Sequence, residues 1–526
     1  MNQRYPSLYQ INTRVWLTEL GRRLGRPATL DDVPETDLDR WQAMGFDWIW
    51  FLSVWKTGPK SRQVSRSEPG WQKEFQETLP DLKEDDIGGS GFAITGYTVH
   101  PDLGGEETLS RLRDRLKKRG LKLMLDFVPN HMGLDHPWID EHPDYFIPGT
   151  EAELKSAPQN FTRLKTAHLP HPALRATFPQ EGKENMDFPS PLGRGQGEGP
   201  EPLANGGEGI FAYGRDPYFA GWPDTLQLNY ANPAAQDALI GELLNIARQC
   251  DGVRCDMAML VLPEIFERTW GRPSPPFWPK AIQTIRSQHP NFCFMAEVYW
   301  DLEWTLQQQG FDYTYDKRLY DRLREGHARP VREHLMAEME YQNKSARFLE
   351  NHDEPRAATT FEPHQHRAAA IITFLTPGLR FFHQGQFEGR KNRISPHLVR
   401  APEESPDPAL REFYGALLSV LKNPAVLDGQ WRRLDCRPAW ENNTSWEAYL
   451  VFLWEEKGGE RLLVTVNYAP RSSQCLVPIP LPGNGGAPIR LRDTMSPACY
   501  ERSSEEMRTR GLFLDLPPWG YHVFDL

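Results

Sequence analysis

The segment GVRCDMAML, residues 252–260, places an arginine and an aspartate two positions apart within an apolar run. In a strand, residues i and i+2 project to the same side, so Arg254 and Asp256 would point together while Cys255 faces the opposite layer. A guanidinium beside a carboxylate keeps that carboxylate ionised and oriented. Taken alone, the segment favours a structural ion pair in a core, and further carboxylates nearby are needed to indicate catalysis.

Three other segments supply such carboxylates, each at the end of a short apolar run. They are Asp126 in DFVPNH, Glu297 in MAEVYW and Asp353 in ENHDEPR. Cleavage of a glycosidic bond needs one carboxylate that attacks and one carboxylic acid that protonates the leaving oxygen. Because Glu297 has apolar neighbours and would lie near two anionic groups, we expect its pKa to be raised toward the working pH.

The elements that carry these residues predict the fold class. Short apolar runs alternate with segments of helical period, such as residues 106–120 and 234–250, the second after an Asn-Pro start signal. This alternation indicates an α/β protein with a (β/α)₈ TIM barrel, whose functional groups gather at the C-terminal ends of the strands. The eight candidate strands are residues 7–16, 46–55, 121–128, 252–258, 292–298, 311–316, 346–353 and 379–385.

Two regions fall outside the alternating pattern. The connection after the third candidate strand is too long for an ordinary loop and predicts an inserted lobe, within which the Gly- and Pro-rich residues 189–209 read as a flexible excursion. Short β-type runs after about residue 400 predict a C-terminal antiparallel β-sandwich. The expected domains are therefore a barrel in two parts (1–131 and 223–400), the lobe (132–222) and the sandwich (401–526).

Composition limits which kinds of molecule the protein can bind and in which cellular compartment it works. Lys and Arg total 60 against 71 Asp and Glu, a formal net charge of −11, which argues against a nucleic-acid surface. The six cysteines are scattered without a C-x-x-C spacing and read as free thiols of a reducing compartment. No segment has the ~18 unbroken apolar residues of a membrane span. We expect a soluble, cytoplasmic protein with a neutral ligand as its partner, no nucleic acid and no membrane.

The four carboxylate segments occur in the order of the signature segments of the α-amylase family, glycoside hydrolase family 13, which the chain resembles over nearly its whole length. The resemblance implies that Asp256 is the nucleophile, Glu297 the general acid/base and Asp353 the carboxylate that stabilises the transition state. It also implies the substrate-binding residues, which are Asp126, His131, Arg254, His352, Phe92 and Arg356.

Two positions depart from the family pattern or leave it open. Phe92 occupies a slot where the family usually has a tyrosine that stacks on the sugar, so the ring is kept and the hydroxyl is lost. The asparagine matching Asn130 binds calcium in many relatives and binds no ion in others, and we assign neither a metal nor a cofactor.

Other departures bear on the substrate. Endo-acting amylases place Lys-His a few residues after the nucleophile, whereas Asp256 is followed by the apolar residues 257–260. ENHDEPR is closer to the NHDxPR pattern of α-glucosidases that act on short oligosaccharides, in which the arginine matching Arg356 helps to close the pocket. The resemblance therefore lies closer to oligosaccharide-acting α-glucosidases and transglycosylases than to endo-amylases.

These features predict a retaining α-glycoside hydrolase that acts on short α-linked gluco-oligosaccharides or α-glucosides through a covalent glycosyl-enzyme intermediate. Retention requires the carboxyl groups of Asp256 and Glu297 to lie roughly 5–5.5 Å apart. The alternatives are a transglycosylase, glucosyltransferase or isomerase of the same family and, ranked last, a non-catalytic carbohydrate-binding relative. Linkage, chain length, natural acceptor and oligomeric state stay open.

Overall fold

The strands form one closed barrel and several antiparallel sheets. The computed structural model describes residues 5–166, 207–456, 459–481 and 487–526. In chain order the strands are β1 (Ser7–Asn12), β2 (Trp48–Leu52), β3 (Trp55–Thr57), β4 (Ile94–Val99), β5 (Lys122–Phe127), β6 (His131–Gly133), β7 (Phe161–Thr166), β8 (Gly207–Ala212), β9 (Thr225–Gln227), β10 (Gly252–Cys255), β11 (Cys293–Ala296), β12 (Tyr313–Tyr315), β13 (Ser345–Arg347), β14 (Leu379–His383), β15 (Gln430–Leu434), β16 (Tyr449–Glu455), β17 (Arg461–Asn467), β18 (Ser473–Val477), β19 (Ile489–Asp493), β20 (Cys499–Arg502), β21 (Leu512–Leu516) and β22 (Tyr521–Asp525).

Helices separate the barrel strands and decorate the other sheets. They are α1 (Thr13–Leu24), α2 (Glu35–Met44), α3 (Pro59–Ser67), α4 (Pro69–Thr78), α5 (Glu106–Lys117), α6 (Trp138–Glu141), α7 (Glu151–Ser156), α8 (Pro233–Gln249), α9 (Pro263–Trp270), α10 (Trp278–Gln288), α11 (Glu303–Gln308), α12 (Lys317–Glu325), α13 (Ala328–His334), α14 (Met339–Asn343), α15 (Ala357–Thr360), α16 (Pro363–Phe374), α17 (Pro408–Val420), α18 (Pro424–Asp428) and α19 (Ser504–Thr509). Short 3₁₀ helices cover Leu30–Asp32, Glu84–Asp86, Pro101–Leu103, Pro143–Tyr145, Ala258–Val261 and Ser445–Ala448.

The predicted (β/α)₈ barrel is confirmed. Its strands close in the order β1-β14-β13-β12-β11-β10-β5-β2, and every neighbouring pair is parallel. Strands such as β2 (WIWFL) and β14 (LRFFH) are buried at every position. This is expected of a parallel sheet covered by helices on one side and filled by side chains on the other.

The helix that precedes β10 begins where the sequence indicates. Asn232 caps α8, since its side-chain oxygen accepts a hydrogen bond from the backbone N–H of Ala234 at 3.0 Å. Pro233 follows at the first helical position, where its missing N–H costs nothing. The start of α8 is therefore specified by the local sequence.

In its described residues, 132–166 and 207–222 with their flanks, the lobe between β5 and β10 contains two antiparallel pairs, β6 with β9 and β7 with β8. Most of the excursion predicted as flexible, residues 189–206, lies outside the described residues. Its last three residues were predicted wrongly, because residues 207–209 begin strand β8. There the alternating pattern of GEGIFA pairs with β7 and overrides the glycine content.

The C-terminal antiparallel sheet is confirmed. Six strands lie in the order β15-β16-β17-β22-β19-β20, and β18 pairs with β21 in a second, two-stranded sheet. Buried apolar side chains from both sheets, among them Leu453, Cys475 and Phe524, form one cluster between them. Two sheets packed over a shared core are the arrangement of a sandwich.

The other face of the six-stranded sheet packs against the barrel. The indole N–H of Trp454, in β16, donates to the carbonyl of Leu375 at 2.7 Å, and the Trp454 ring meets the Tyr5 ring edge to face. Apolar side chains of β16, β17 and α17 belong to the same cluster as those of the barrel strands. Among the helices that the structure describes, none combines the length and the apolar character that a bilayer crossing requires.

Candidate active site

A single buried guanidinium, that of Arg254, lies between the predicted catalytic carboxyl groups. We call these groups, Asp256, Glu297 and Asp353, together with Arg254 the constellation. Arg254, on β10, is 1% exposed and donates through Nη1 to Asp256 Oδ1 at 2.6 Å. Its Nη2 lies 2.7 Å from Glu297 Oε2 and 3.7 Å from Asp353 Oδ2. The structure therefore brings the carboxylates that follow β10, β11 and β13 around one cation, whereas the sequence had paired Arg254 with Asp256 alone.

Aromatic rings and a phenol enclose the rest of this guanidinium. Its Nε donates to the Tyr315 hydroxyl at 3.3 Å, and the rings of Trp50 and Phe92 lie 5.6 and 5.3 Å from its central carbon. Rings at this distance attract a cation through their electron-rich faces and exclude water from it. Arg254 is thereby fixed in position without contact with solvent.

Glu297, directly after β11, is bound differently at its two oxygens. Oε2 accepts from the backbone N–H of Met257 at 2.7 Å in addition to its contact with Arg254. Oε1 accepts from the Tyr299 hydroxyl at 3.0 Å. Removal from water raises the pKa of Glu297 to about 8, and the Asp256 and Asp353 carboxylates act in the same direction against Arg254. Glu297 thus holds a proton at neutral pH, as the sequence predicted.

The backbone after Asp256 is turned to make that contact. Met257 lies in the left-handed region, with φ 42° and ψ 46°, an uncommon conformation for a residue with a long side chain. The turn directs the Met257 N–H at Glu297 and starts the 3₁₀ helix Ala258–Val261, whose side chains are buried. Local strain of this kind persists where surrounding contacts hold it, often at functional sites.

Asp353 and His352 follow β13 and adopt different degrees of burial. The Asp353 side chain is 37% exposed, so it is the member of the constellation that opens onto solvent. His352 is buried, shares a hydrogen bond of 2.9 Å between its Nδ1 and Gln10 Nε2, and places Nε2 3.1 Å from Asp353 Oδ2. Burial lowers the pKa of His352 well below its ordinary value. The ring is therefore neutral and aligned beside Asp353.

Asp126, the last residue but one of β5, accepts hydrogen bonds at both oxygens. Trp50 donates its indole N–H to Oδ1 at 3.0 Å, and the backbone N–H of Ser53 donates to Oδ2 at 2.6 Å. Burial raises the pKa of Asp126 to about 7 even though Arg254 and these donors favour its ionised form. Asp126 ties β5 to the end of β2 beneath the constellation.

The remaining predicted residues, Phe92, His131 and Arg356, are buried and contact other parts of the barrel and the lobe. Phe92 lies 5.5 Å from the His352 ring, and the His131 ring lies 5.1 Å from that of Trp222, in the lobe. Arg356 is buried in an ion pair with Glu350, 2.7 Å away, and donates to the carbonyl of Gln384 at 2.8 Å. Arg356 is therefore committed to joining the segments after β13 and β14.

Asn130 tests whether the site suits the calcium ion that many relatives bind. Its side-chain oxygen accepts from Gln227 Nε2 at 3.0 Å, and its backbone carbonyl accepts from the same amide. Within the residues that the structure describes, no group of three or more His, Cys, Asp or Glu side chains is arranged to hold a metal ion. The Gln227 amide therefore occupies the side-chain and backbone oxygens of Asn130 for which a cation at this position would compete.

Sequence reasoning missed the partners that hold the constellation. Strand alternation could have indicated two of these partners. Tyr299 lies two residues after Glu297 and therefore on the same side of that segment, and Trp50 lies on the side of β2 that faces the barrel interior. Gln10 and Tyr315 had no such indication, since their contacts join segments that are distant in sequence. Such contacts depend on barrel closure and carry no local pattern.

The chain was compared with known proteins. Residues 35–191 match the family model of the α-amylase catalytic domain. The chain is 31% identical over 151 residues to an α-1,4-glucan:maltose-1-phosphate maltosyltransferase of Salinibacter ruber, which covers 27% of this chain and 21% of the relative. It is 21% identical over 341 residues to α-amylase 3 of Dictyoglomus thermophilum, which covers 59% of this chain and 56% of the relative.

A solved structure matches over the full length. The maltogenic α-amylase of Thermotoga neapolitana superposes with a TM-score of 0.66 at 16% sequence identity, covering 100% of this chain and 99% of the other. At this identity the likeness shows the fold. The chain spans about a fifth of the maltosyltransferase and just over half of the Dictyoglomus amylase. By the catalytic-domain match and these relatives, the chain is similar to members of the α-amylase family.

Proposed function

We propose that the protein is a retaining α-glycoside hydrolase that acts on short α-linked gluco-oligosaccharides or α-glucosides. The observation that carries the proposal is the grouping of Asp256, Glu297 and Asp353 around the buried Arg254 guanidinium. The first two carboxyl groups are buried and the third is partly open to solvent. A sugar entering from the open side would meet an attacking oxygen, a proton donor and an anionic stabiliser.

The roles follow from the bonds that each group makes. The Arg254 guanidinium orients Asp256, whose carboxylate attacks the anomeric carbon as the glycosidic C–O bond breaks. Glu297 holds a proton at neutral pH and transfers it to the leaving oxygen. In the second half, water attacks the anomeric carbon and the bond between that carbon and Asp256 breaks. The water gives a proton to Glu297, so both carboxyl groups return to their starting forms. Asp353 stabilises the positive charge that develops on the sugar in each half.

Surrounding residues support a small substrate. The 3₁₀ helix that follows Asp256 presents buried apolar side chains in place of the Lys-His that typifies endo-acting amylases. Arg356 joins the segments after β13 and β14, and such a link would limit the width of the site on that side. Both features favour a closed pocket over a long cleft.

Transfer to a sugar acceptor is the second candidate. It uses the same covalent intermediate, and the relative that is 31% identical to this chain is a maltosyltransferase. The outcome depends on how well the acceptor side excludes water from the glycosyl-enzyme. Product analysis after incubation with maltose, maltotriose, sucrose and trehalose distinguishes the two, because transfer yields products longer than, or isomeric with, the starting sugar.

The central test is covalent trapping. Incubation with 5-fluoro-α-glucosyl fluoride, followed by mass spectrometry, should add one glycosyl unit to the peptide that contains Asp256. Asp256→Ala should lose roughly 10⁴-fold or more of kcat, since it removes the nucleophile, while circular dichroism and thermal unfolding stay close to wild type. Asp515→Asn, an exposed position on β21, serves as the control and should retain activity.

Two results would contradict the proposal. One is full activity of Asp256→Ala, and the other is a product of inverted anomeric configuration in a proton NMR time course. Inactivity of the wild-type protein on a broad panel of α-glucosides would instead support the non-catalytic relative.

We further propose that the protein works in a reducing compartment such as the cytoplasm. All six cysteines are free thiols and five of them are buried. Cell fractionation with an antibody against the native protein tests this location. Recovery from the medium or the cell envelope would contradict it.

A further inference from the structure

The two oxygens of Glu297 have unequal numbers of hydrogen-bond donors. Oε2 receives two short contacts, from the Met257 N–H and from Arg254 Nη2, both at 2.7 Å. Oε1 receives one contact, from the Tyr299 hydroxyl at 3.0 Å. A carboxyl proton settles on the oxygen that faces fewer donors, because a proton on the other would face two N–H groups. The proton of Glu297 therefore resides on Oε1.

The partner of Oε1 differs in kind from the partners of Oε2. Guanidinium and backbone N–H groups only donate, whereas a phenol hydroxyl donates or accepts by rotation. When Glu297 is protonated, the Tyr299 oxygen accepts a hydrogen bond from the carboxyl O–H. When a substrate is bound, that O–H can instead donate to the glycosidic oxygen. When Glu297 is ionised, the Tyr299 O–H donates to Oε1. One hydroxyl thus serves the carboxyl group in both protonation states.

From this asymmetry, and resting on the acid/base role proposed for Glu297, we infer that Tyr299 is a positioning residue for proton transfer. Its hydroxyl holds Oε1 as the oxygen that carries the proton and stabilises the carboxylate left after the proton is given up. No bond to the substrate is assigned to Tyr299. Its place two residues after Glu297 puts both side chains on the same side of the segment that leaves β11.

The other charged groups around Glu297 act on both of its forms whether or not Tyr299 is present. They are Arg254 on β10, Asp256 directly after it and Asp353 after β13, with the neutral Tyr315 hydroxyl on β12 beside them. Loss of the Tyr299 hydroxyl leaves these groups in place and removes one donor to the ionised form. The alkaline limb of kcat/KM, which reports the acid in the free enzyme, should move to higher pH.

The experiment compares pH profiles of kcat/KM for wild type and Tyr299→Phe on 4-nitrophenyl α-glucoside and on maltotriose. The alkaline limb should move up by about one pH unit, the size expected for losing one hydrogen bond to a charged group. The matched control is Tyr468→Phe, which removes a buried hydroxyl that donates to the Leu323 carbonyl at 2.6 Å in the C-terminal region. Its pH profile should match wild type.

The outcomes separate this inference from the proposed function. An unshifted alkaline limb in folded Tyr299→Phe, with Glu297→Gln inactive on maltotriose, overturns the role of Tyr299 and leaves the role of Glu297 standing. Glu297→Gln with wild-type activity on maltotriose overturns both. If Tyr299→Phe does not fold, Tyr299→Met removes the same hydroxyl with an adaptable side chain, and the same shift or its absence decides.

Discussion

At the scale of single residues, Arg254 is the group on which the constellation depends. Its guanidinium is buried with two buried carboxyl groups in direct contact and a third 3.7 Å away. Taking one partner from such a network leaves the others as uncompensated buried charges. The arginine therefore supports folding as well as the alignment of Asp256.

Replacing Arg254 by methionine should destabilise the protein by about 3–5 kcal/mol and abolish most activity. The free energy of unfolding, measured by urea titration with tryptophan fluorescence, checks the first effect. The difference in unfolding free energy between wild type and the variant should become smaller at acidic pH, because protonated carboxyl groups no longer repel one another. Arg492→Met, which breaks an exposed ion pair with Asp525, should cost less than about 1 kcal/mol. An equal loss in both variants would contradict the assignment.

The sequence predicted the charged members of the site because their order along the chain is characteristic of the family. It did not predict that Glu297 shares the guanidinium, nor that Tyr299 contacts Glu297. The first contact joins neighbouring strands and depends on barrel register. The second contact joins residues two apart in an extended segment, so strand alternation could have predicted it. The separation between the carboxyl groups of Asp256 and Glu297, and the roles of both residues, stay predictions.

At the scale of elements, burial explains which strands were predicted. Barrel strands are buried on both faces, so they appear as apolar runs in the sequence. In the C-terminal region, the strands that the apolar runs did not predict are β15 (QWRRL) and β20 (CYER), which are the two edges of the six-stranded sheet and have no fully buried position. Polar, charged edges protect a sheet against unwanted pairing and erase the alternation that identifies a strand.

Packing also bears on the predicted boundary at residue 401. The Tyr414 hydroxyl of α17 lies 3.0 Å from Gln386 Nε2 and 2.8 Å from His366 Nε2, both in the barrel, and the six-stranded sheet begins at Gln430. We therefore propose that α17 belongs to the barrel and that the C-terminal domain begins near residue 429. Limited proteolysis that releases a stable fragment ending near residue 401 would contradict this boundary.

The start of α8 gives a prediction at this scale. Asn232→Ala removes the cap of that helix and the hydrogen bond from Asn232 Nδ2 to Asp144 Oδ2 at 2.8 Å. It should lower the free energy of unfolding by about 1–2 kcal/mol. Asn245→Ala, at an exposed interior position of α8, should be neutral or slightly stabilising because alanine favours helix. Chemical denaturation of both variants measures the difference, and equal effects would contradict the cap.

At the scale of the whole molecule, several buried carboxyl groups make stability depend on pH. Burial raises the pKa of Asp126, Asp224 and Glu303 each to about 7. The same groups ionise near pH 4 in the unfolded chain. Their contribution to stability is full below pH 4 and is lost as pH rises to about 7, because the unfolded state releases its protons first. The stability that these three groups contribute should therefore fall between pH 4 and 7 and level off above.

Asp224 offers the cleanest test of this dependence. It is 2% exposed, lies outside the constellation, and its Oδ2 has no hydrogen-bond partner among the described residues. Asp224→Asn should reduce the difference in unfolding free energy between pH 4.5 and pH 8 by on the order of 2 kcal/mol. Asp237→Asn, on the exposed face of α8, should leave that difference unchanged. An unaltered pH dependence in Asp224→Asn would show that Asp224 does not contribute.

The pairing of β1 with β14, in which Ser7 lies opposite Arg380, governs how the nascent chain folds. Ribosomes extend a polypeptide at ~5–20 residues per second, so β14 emerges on the order of half a minute after β1. Throughout that interval one flank of the first strand has no neighbour to bond. Chaperones that engage emerging chains therefore have a defined target at this flank, and translation speed sets how long it stays open.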